Sequence, residues 1–326
     1  PTRRSSDLAC QRSFFGIRPQ QGLAQGFFLD AAGALAPLEL GNHVGRLQAV
    51  VGQRDQTVKP QVGHFADQLG LAPEDFAENR RPNRLPGGRI QKLPHAVMEE
   101  SIQFFPAAKA PQKPYFSILI PSWNNLAYLQ LCVEAIRKHS TTAYEIILHL
   151  NEAKDGSKEW VESQEDIAFS YSPINVGVCY AMNAMVKLAR ADYFLYLNDD
   201  MYVMPNWDGF LQEEIQRIGH TEFFLSATAI EPKAQSACSI QADFGRSIAT
   251  FEEARLLETY DSLPFQDWQG ATWPPNVVHR SLWDKVGGYS NEFTPGMYSD
   301  PDFSMKCWQA GVRLFKGISR SRVYHF

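Results

Sequence analysis

The chain has 326 residues, and its 44% hydrophobic and 21% charged content is typical of a globular protein and not of a disordered one. Its net charge of -5 and its pI of about 5.9 argue against a basic surface that binds nucleic acid. The sequence shows no apolar run of the ~18 residues that a membrane-spanning helix needs, no secretory leader pattern and no cysteine pair at zinc-binding spacing.

The first 97 residues differ in composition from the rest. Residues 1–97 contain 10 Arg and 2 Lys, whereas residues 98–326 contain 9 Arg and 10 Lys. The opening octet PTRRSSDL resembles the translation of a common short-read sequencing adapter, and no strand–helix alternation follows it. We interpret residues 1–97 as a non-native or disordered segment, with Met98 as the true start and residues 98–114 as a linker. The alternative is a genuine N-terminal domain with weak patterning.

Strand and helix patterns alternate from Tyr115 onward. The run YFSILIP is a short apolar strand signal bounded by prolines, and apolar residues at helical spacing follow it. Further strands are predicted for YEIILHL, IAFSYS and DYFLYL, and helices for DGSKEWVES and for residues 178–190. This alternation is typical of a mostly parallel sheet with helices on both faces. The sequence therefore predicts a single α/β domain over residues 115–326.

Polar and turn-forming residues follow each predicted strand. They are Pro121, Ser122 and Trp123 after the first, Asn151 and Glu152 after the second, Asn175 and Gly177 after the third, and Asn198, Asp199 and Asp200 after the fourth. Ligands of open parallel sheets bind outside the carboxyl ends of the strands. We therefore expect a nucleotide-sized pocket at this edge of the sheet.

The adjacent carboxylates Asp199 and Asp200 suggest two separate tasks at that edge. Neighbouring residues that leave a strand point in different directions, so one carboxylate could ligate Mg²⁺ or Mn²⁺ while the other accepts a hydrogen bond from a sugar hydroxyl. The alternative is a solvated Asn-Asp-Asp turn, since these residues favour turns. Their place after the fourth strand of such a sheet favours the binding role.

Six motifs, taken together and in order, resemble those of family 2 glycosyltransferases. They are FSILIPSWNN, NVGVCYAMNAM, LNDDMYVMPNW, KVGGYSNEF, SDPDFSMKCWQAG and VYHF. The resemblance spans about residues 115–326 and implies a Rossmann-like GT-A fold. It also implies a nucleotide-sugar donor, most often a UDP-sugar, a divalent cation (Mn²⁺ or Mg²⁺), and an acceptor hydroxyl on a glycan, lipid-linked or protein-linked acceptor in cell wall or polysaccharide biosynthesis.

The resemblance also implies roles for individual residues. Asp200 matches the metal-binding aspartate, Asp199 matches the residue that contacts the ribose or sugar of the donor, and Asp300 matches the general base. His325 lies where related enzymes often have a metal or diphosphate contact. The remaining donor-site residues implied are Pro121, Ser122, Trp123, Asn151, Glu152, Asn175, Gly177, Asn183 and Asn198. The family usually has an aspartate where this chain has Asn151-Glu152, so the nucleobase is not implied.

Several of these assignments have structural alternatives. Asp300 and Asp302 flank Pro301 and could cap a helix, with Asp302 as the second candidate for the base. His325 could be an ordinary histidine at the end of a strand. Trp268 and Trp273 could stack on sugars or pack in the core, whereas we expect Trp207 to pack.

Two other functions compete with glycosyl transfer. A catalytically inactive nucleotide-sugar-binding relic would retain the fold but not the activity. A nucleotidyltransferase would need a Gly-rich basic loop after the first strand, and PSWNNLAY contains no Gly, Lys or Arg. We expect a cytoplasmic protein, with peripheral association at the inner face of the membrane left open. We also expect a C-terminally truncated domain, because the family usually continues beyond the position of Phe326.

Overall fold

The structure, a computed structural model, describes residues 95–233, 238–270, 273–296 and 298–326. These residues belong to one compact unit. The expectations for residues 1–94 lie outside the described part of the chain. Within that part, no helix is both long enough and apolar enough to cross a membrane.

One sheet organises the described residues. Its strands are β1 (Gln103–Phe105), β2 (Phe116–Trp123), β3 (Tyr144–Asn151), β4 (Ile167–Ser172), β5 (Tyr193–Tyr196), β6 (Met201–Val203), β7 (Phe223–Glu231), β8 (Ile240–Gln241), β9 (Trp268–Gln269), β10 (Asn276–His279) and β11 (Leu314–His325). Their order is β1-β4-β3-β2-β5-β10-β7-β11-β6, with β8 paired to β7 and β9 paired to β11.

Helices connect most of these strands. They are α1 (His95–Glu100), α2 (Leu126–His139), α3 (Ser157–Glu162), α4 (Gly177–Met185), α5 (Trp207–Ile218), α6 (Glu253–Thr259), α7 (Arg280–Val286) and α8 (Ser299–Gln309). Short 3-10 turns lie at Ile248–Thr250, Tyr260–Ser262 and Asn291–Phe293. The helix predicted from DGSKEWVES corresponds to α3, and the helix predicted for residues 178–190 corresponds to α4, which ends earlier, at Met185.

The four strands predicted from the sequence lie side by side and run parallel, in the order β4-β3-β2-β5. Strand β10 is antiparallel to both β5 and β7, so β7 again runs in the direction of β5, as do β8 and β11. Strands β1, β6, β9 and β10 run the other way. The prediction of a mostly parallel sheet flanked by helices is confirmed, and antiparallel pairings join its two halves.

Strand β2 has the burial expected of a central strand. Every residue from Phe116 to Ile120 is completely buried. Because successive side chains of a strand point to opposite faces, both faces of the sheet are covered at this position. Ser122 and the exposed Trp123 follow this buried run, at the carboxyl end of the strand.

The segment assigned to a linker, residues 98–114, contains secondary structure. Its residues 103–105 form β1, which pairs antiparallel with β4 through Phe105 and Phe169. The two phenylalanine rings are stacked with their centroids 4.5 Å apart. The sheet therefore begins before Tyr115, where the sequence analysis placed the start of the domain.

Register brings the strand ends together at one edge. Trp123 of β2 is level with Asn151 of β3, and Asn151 is level with Ser172 of β4. On the other half of the sheet, Tyr324 of β11 is level with Ile230 of β7. The residues that follow these positions all lie at the carboxyl edge, where a parallel sheet binds its ligands.

Candidate active site

Asp199 follows β5 and is tied to the end of β2. The hydroxyl of Ser122 donates a hydrogen bond of 2.6 Å to Asp199 Oδ2. Burial raises the pKa of Asp199 to about 6, although the hydrogen bond from Ser122 acts in the opposite direction. Two residues predicted to share a site, Ser122 and Asp199, are therefore in direct contact.

Asp200 lies beside the histidine at the end of β11. Its Oδ1 atom is buried, has no hydrogen-bond partner, and lies 3.5 Å from His325 Nε2. The other ring nitrogen of His325, Nδ1, lies 2.9 Å from Oε1 of Glu231. Burial by itself would lower the pKa of His325, but the carboxylates of Asp200 and Glu231 outweigh it and raise that pKa to about 9.

The chemistry of these side chains fits a divalent cation at Asp200. With a pKa of about 9, His325 is protonated at neutral pH and places a positive charge beside this buried oxygen, and a divalent cation that displaced the His325 proton would compensate the carboxylate in its place. Carboxylate oxygens suit Mg²⁺ and Mn²⁺, and a neutral imidazole can add a nitrogen ligand. Within the described residues no group of three or more His, Cys, Asp or Glu side chains could hold a metal. A cation here would therefore depend on oxygen atoms of a bound diphosphate or of water for its other ligands.

Asp300 lies in the first turn of α8, as a partly buried carboxylate. The hydroxyl of Tyr289 donates a hydrogen bond of 2.8 Å to Asp300 Oδ1. Burial raises the pKa of Asp300 to about 7, and the hydrogen bond from Tyr289 only partly offsets this. The ring of Tyr289 packs edge-on against that of Tyr196, with centroids 6.3 Å apart, and Tyr196 precedes Asp199 by three residues, so Asp300 lies on the same side of the sheet as the end of β5.

Asp302, the second candidate base, has other contacts. The hydroxyl of Ser290 donates a hydrogen bond of 2.6 Å to Asp302 Oδ2, and Lys306 Nζ lies 3.9 Å from the same oxygen. These contacts join α8 to the segment after α7. Asp302 is therefore positioned as a structural carboxylate, and Asp300 is the better candidate for proton transfer.

Asn151 and Asn175 hold the loop before α4. The side chain of Asn151 accepts a hydrogen bond of 2.9 Å from Val176 N and donates one of 3.5 Å to the carbonyl oxygen of Ser122. Asn175 Oδ1 accepts a 2.9 Å hydrogen bond from Gly177 N. These contacts fix the relative position of three strand ends. Direct contact of either residue with a nucleotide stays a prediction.

Asn183 of α4 supports the segment that carries Tyr289. Its Nδ2 donates to the carbonyl oxygen of Tyr289 at 2.8 Å, and its Oδ1 accepts from Tyr289 N at 2.9 Å. A side chain at Gly288 would come within 2.5 Å of Asn183 Oδ1. Asn183 thus contacts the residue that holds Asp300, a connection that its place in the NVGVCYAMNAM motif did not indicate.

Trp123 and Glu152 form a polar cluster at the ends of β2 and β3. The indole of Trp123, which is 50% exposed, donates a 2.9 Å hydrogen bond to Glu152 Oε2. Asn124 also donates to this oxygen, and Lys154 donates to Oε1. The hydrogen bond from Trp123, together with Lys154 and Asn124, lowers the pKa of Glu152 despite partial burial. Glu152 is therefore ionised at neutral pH, beside an indole face open to solvent.

Pro121 and Asn198 lie at the same edge as partly buried residues. The carbonyl oxygen of Asn198 lies 3.6 Å from the Cys132 thiol of α2. This contact fixes the backbone just before Asp199.

The tryptophans have different environments. Trp207 is completely buried and donates to Ser140 Oγ at 3.0 Å, which confirms the expected packing role. Trp268 is also buried, donates to Thr228 Oγ1 at 3.0 Å, and leaves no room for a side chain at Gly317. Trp273 is 50% exposed. Trp273 therefore stays a candidate for sugar stacking, whereas Trp268 packs.

Two residues of the site, Glu231 and Tyr289, were not among the predicted site residues. Glu231 ends the run FFLSATAIE, which has the same form as the run before Asp199: apolar residues followed by a carboxylate. Tyr289 lies in the KVGGYSNEF motif, and its hydroxyl group was the feature of the sequence that could have indicated a hydrogen-bonding role in the site. Neither signal indicates which residue the side chain contacts, because the first contact depends on the pairing of β7 with β11 and the second on how α8 packs against the segment after α7.

Part of the chain matches a known protein family. Residues 117–235 match the family model of glycosyl transferase family 2. The resemblance drawn from the motifs is therefore confirmed for this segment. The family 2 segment includes Ser122, Asp199, Asp200 and Glu231, whereas Asp300 and His325 follow it.

A curated relative from Haemophilus influenzae, described as an uncharacterized glycosyltransferase, is 28% identical over 93 residues. The match covers 27% of this chain and 30% of the relative, so the chain spans less than a third of that relative's length.

Solved structures with similar parts include residues 1–349 of S. aureus TarS, which is 14% identical in sequence with a TM-score of 0.43. The match covers 63% of this chain and 60% of the TarS chain. GalNAc-T7, solved with UDP, GalNAc and Mn²⁺, is 16% identical with a TM-score of 0.49, covering 66% of this chain and 44% of that one.

Gly177 allows the first turn of α4 to approach a neighbouring loop. Its φ is +77, and a Cβ there would lie 2.6 Å from the Cα of Pro295. We expect Gly177→Ala to lower the free energy of unfolding by about 1–3 kcal/mol or more, because left-handed backbone strain adds to the clash. Gly219→Ala is the matched control, since Gly219 has a φ of +72 and nothing within 4 Å. Equal losses in urea-unfolding experiments on the two variants would contradict a close approach at Gly177.

Tyr289→Phe should shift the pH profile of any reaction that uses Asp300 as base. The ring would keep its stacking on Phe303, with centroids 4.8 Å apart, while the hydrogen bond that lowers the pKa of Asp300 would be lost. Because the pKa of Asp300 would rise, we expect the acidic limb of the kcat/KM profile to move to higher pH. The variant should therefore be less active than the unmodified chain at pH 7 and regain activity at higher pH. Tyr144→Phe, at the amino end of β3, is the control. An unshifted acidic limb would contradict the role of Tyr289.

Proposed function

We propose that this chain is a metal-dependent, inverting glycosyltransferase that moves a sugar from a nucleoside diphosphate sugar to an acceptor hydroxyl. A UDP-sugar is the first candidate for the donor. The acceptor would be a glycan, lipid-linked or protein-linked molecule. The proposal rests on the family 2 segment at residues 117–235 and on the contacts that bring Asp300, through Tyr289, to the end of β5, which Asp199 and Asp200 follow.

One observation carries the mechanism. Asp300, with a pKa of about 7, lies in the same region as the Asp199–Asp200 pair. A general base works best when its pKa is near the working pH, because it is then both deprotonated and basic enough to accept a proton. The arrangement supplies a base and, beside it, a pair of carboxylates that could hold the cation needed to offset the charge of a leaving diphosphate.

The acceptor hydroxyl must lose its proton as it attacks the anomeric carbon of the donor. In the proposed reaction the carboxylate of Asp300 takes that proton, the bond from the acceptor oxygen to the anomeric carbon forms, and the bond to the leaving diphosphate breaks. The hydrogen bond from Tyr289 keeps one Asp300 oxygen oriented during this step. Direct displacement inverts the anomeric centre, and no covalent intermediate on the protein is needed.

The opposite side of the reaction handles negative charge on the leaving diphosphate. A divalent cation bound at Asp200 would offset that charge as a Lewis acid. In the proposal Asp200 and His325 hold the cation, while Asp199, fixed by Ser122, accepts a hydrogen bond from the ribose or sugar. The exposed indole of Trp123 lies at the same edge, where the nucleoside would bind.

The inactive-relic alternative predicts nucleotide binding without turnover, or no binding. Calorimetric titration of UDP into the full chain, with and without Mn²⁺, tests nucleotide and metal binding, and release of UDP from a UDP-sugar then separates an active enzyme from an inactive relic. We expect UDP to bind with Mn²⁺ present and to bind much more weakly without it. If UDP fails to bind, GDP and dTDP are tested next. No binding of any of the three would contradict the proposed function.

A further inference from the structure

We propose that Glu231 is a positioning residue that holds His325 in the orientation needed to complete the cation site. This inference rests on the proposed function, because it deepens the assignment of Asp200 and His325. It concerns a residue that does not itself face the cation position.

The two carboxylates around His325 lie against different ring nitrogens. Asp200 Oδ1 is 3.5 Å from Nε2, and Glu231 Oε1 is 2.9 Å from Nδ1. The two nitrogens of an imidazole direct their hydrogen bonds to different sides of the ring. Glu231 therefore lies on the far side of the His325 ring from Asp200. It contacts the proposed cation site only through His325.

A carboxylate at Nδ1 has a defined effect on the imidazole. An ionised carboxylate can only accept hydrogen bonds, so Nδ1 must carry the proton of this contact. In the neutral ring the lone pair is then on Nε2, the nitrogen that faces Asp200. A carboxylate behind a metal-binding histidine fixes the tautomer and the ring orientation and increases the basicity of the ligand.

The backbone around Glu231 is well fixed. Glu231 is the last residue of β7, pairs with Gln241 of β8, and accepts a 3.0 Å hydrogen bond from Ala242 N at its carbonyl oxygen. Its side chain is only 10% exposed. Because β7 and β11 are parallel and Tyr324 is level with Ile230, Glu231 and His325 occupy adjacent positions at the strand ends. The register of β7 with β11 therefore places Glu231 next to His325.

The test measures Mn²⁺ affinity of the full chain with UDP present, from the electron paramagnetic resonance signal of free Mn²⁺. We expect Glu231→Met, which removes both acceptor oxygens, to weaken Mn²⁺ binding by about 10–100-fold. Glu231→Gln keeps one acceptor oxygen but can also donate, so we expect a smaller loss. Glu222→Gln is the matched control, because Glu222 directly precedes β7 and its side chain is 69% exposed.

A double-variant comparison separates positioning from a general structural effect. If Glu231 acts through His325, adding Glu231→Met to His325→Ala should cause little further loss of Mn²⁺ affinity. Two results would overturn the inference alone. One is a double variant that loses as much additional Mn²⁺ affinity as Glu231→Met loses in the unmodified chain. The other is an unchanged Mn²⁺ affinity in both Glu231→Gln and Glu231→Met. No Mn²⁺ binding by the unmodified chain would overturn both the inference and the proposed cation site.

Discussion

Replacing Asp300 with Asn should lower kcat by about 10²–10⁴-fold, the usual contribution of a general base, while UDP binding is unchanged. Asn has nearly the same shape, and its side-chain oxygen can still accept the hydrogen bond from Tyr289. The reaction is followed as UDP release from a UDP-sugar, with water or an added glycan as acceptor. Asp302→Asn is the control from the same helical turn, since Asp302 is bound to Ser290. Equal losses in the two variants would contradict the assignment of Asp300.

The same substitution should increase stability at neutral pH. The pKa of Asp300 is about 7 in the folded protein, against an ordinary value of 3.8, so the folded state binds this proton more tightly than the unfolded state. The stability contributed by Asp300 is therefore present below pH 4 and is lost as the pH rises from about 4 to about 7.

Asn cannot ionise and avoids this loss. We expect Asp300→Asn to gain about 1–3 kcal/mol in the free energy of unfolding at pH 8, because one pKa unit corresponds to about 1.4 kcal/mol and water partly screens the carboxylate. At pH 4 the gain should vanish. Thermal unfolding at both pH values checks the sign. A variant that is less stable than the unmodified chain at pH 8 would contradict the burial of a charged Asp300.

Asp200→Ala should weaken Mn²⁺ binding in the presence of UDP by more than about 100-fold, beyond the range for loss of an outer-shell partner. The physical reason is that Asp200 Oδ1 is buried and has no hydrogen-bond partner. The loss of affinity should appear as a loss of the Mn²⁺ dependence of UDP binding. The fold should be kept, because the substitution removes one ion pair with His325 at the sheet edge and leaves the backbone hydrogen bond from Phe326 N to the Asp200 carbonyl oxygen in place.

Asp192→Asn is the matched control for Asp200→Ala. Asp192 directly precedes β5, is exposed, and lies at the opposite edge of the sheet. We expect its Mn²⁺ affinity to equal that of the unmodified chain. Mn²⁺ affinity that is unchanged in Asp200→Ala would show that the cation, if bound, is held elsewhere.

The first half of the sheet was readable from the sequence because each strand carries its own signal. The run from Phe116 to Ile120 is apolar except for Ser117, and it is completely buried on both faces of the sheet. Strands β8 and β9 have two residues each, and β10 has four. Runs so short show no periodicity, and long-range pairing with β7, β11 and β5 determines that they are strands.

The candidate site was predictable where a single strand end carries the chemistry. Asp199 and Asp200 follow an apolar run, and so they stood out in the sequence. The contact of His325 with Glu231 depends on the register of β7 with β11, which are separated by much of the chain. The contact of Tyr289 with Asp300 depends on how α8 packs on the segment after α7. Local patterns hold no information on such pairings.

Inverting transfer with Asp300 as the base determines which anomer of the product forms first, so the stereochemistry of the product tests the proposed mechanism. The full chain, at stoichiometric concentration with Mn²⁺ and an α-linked UDP-sugar, is followed by proton NMR as the sugar is released to water or to an acceptor. We expect the β-anomer to form first and Asp300→Asn to abolish its formation. First formation of the α-anomer, or unchanged release by Asp300→Asn, would contradict the proposed mechanism.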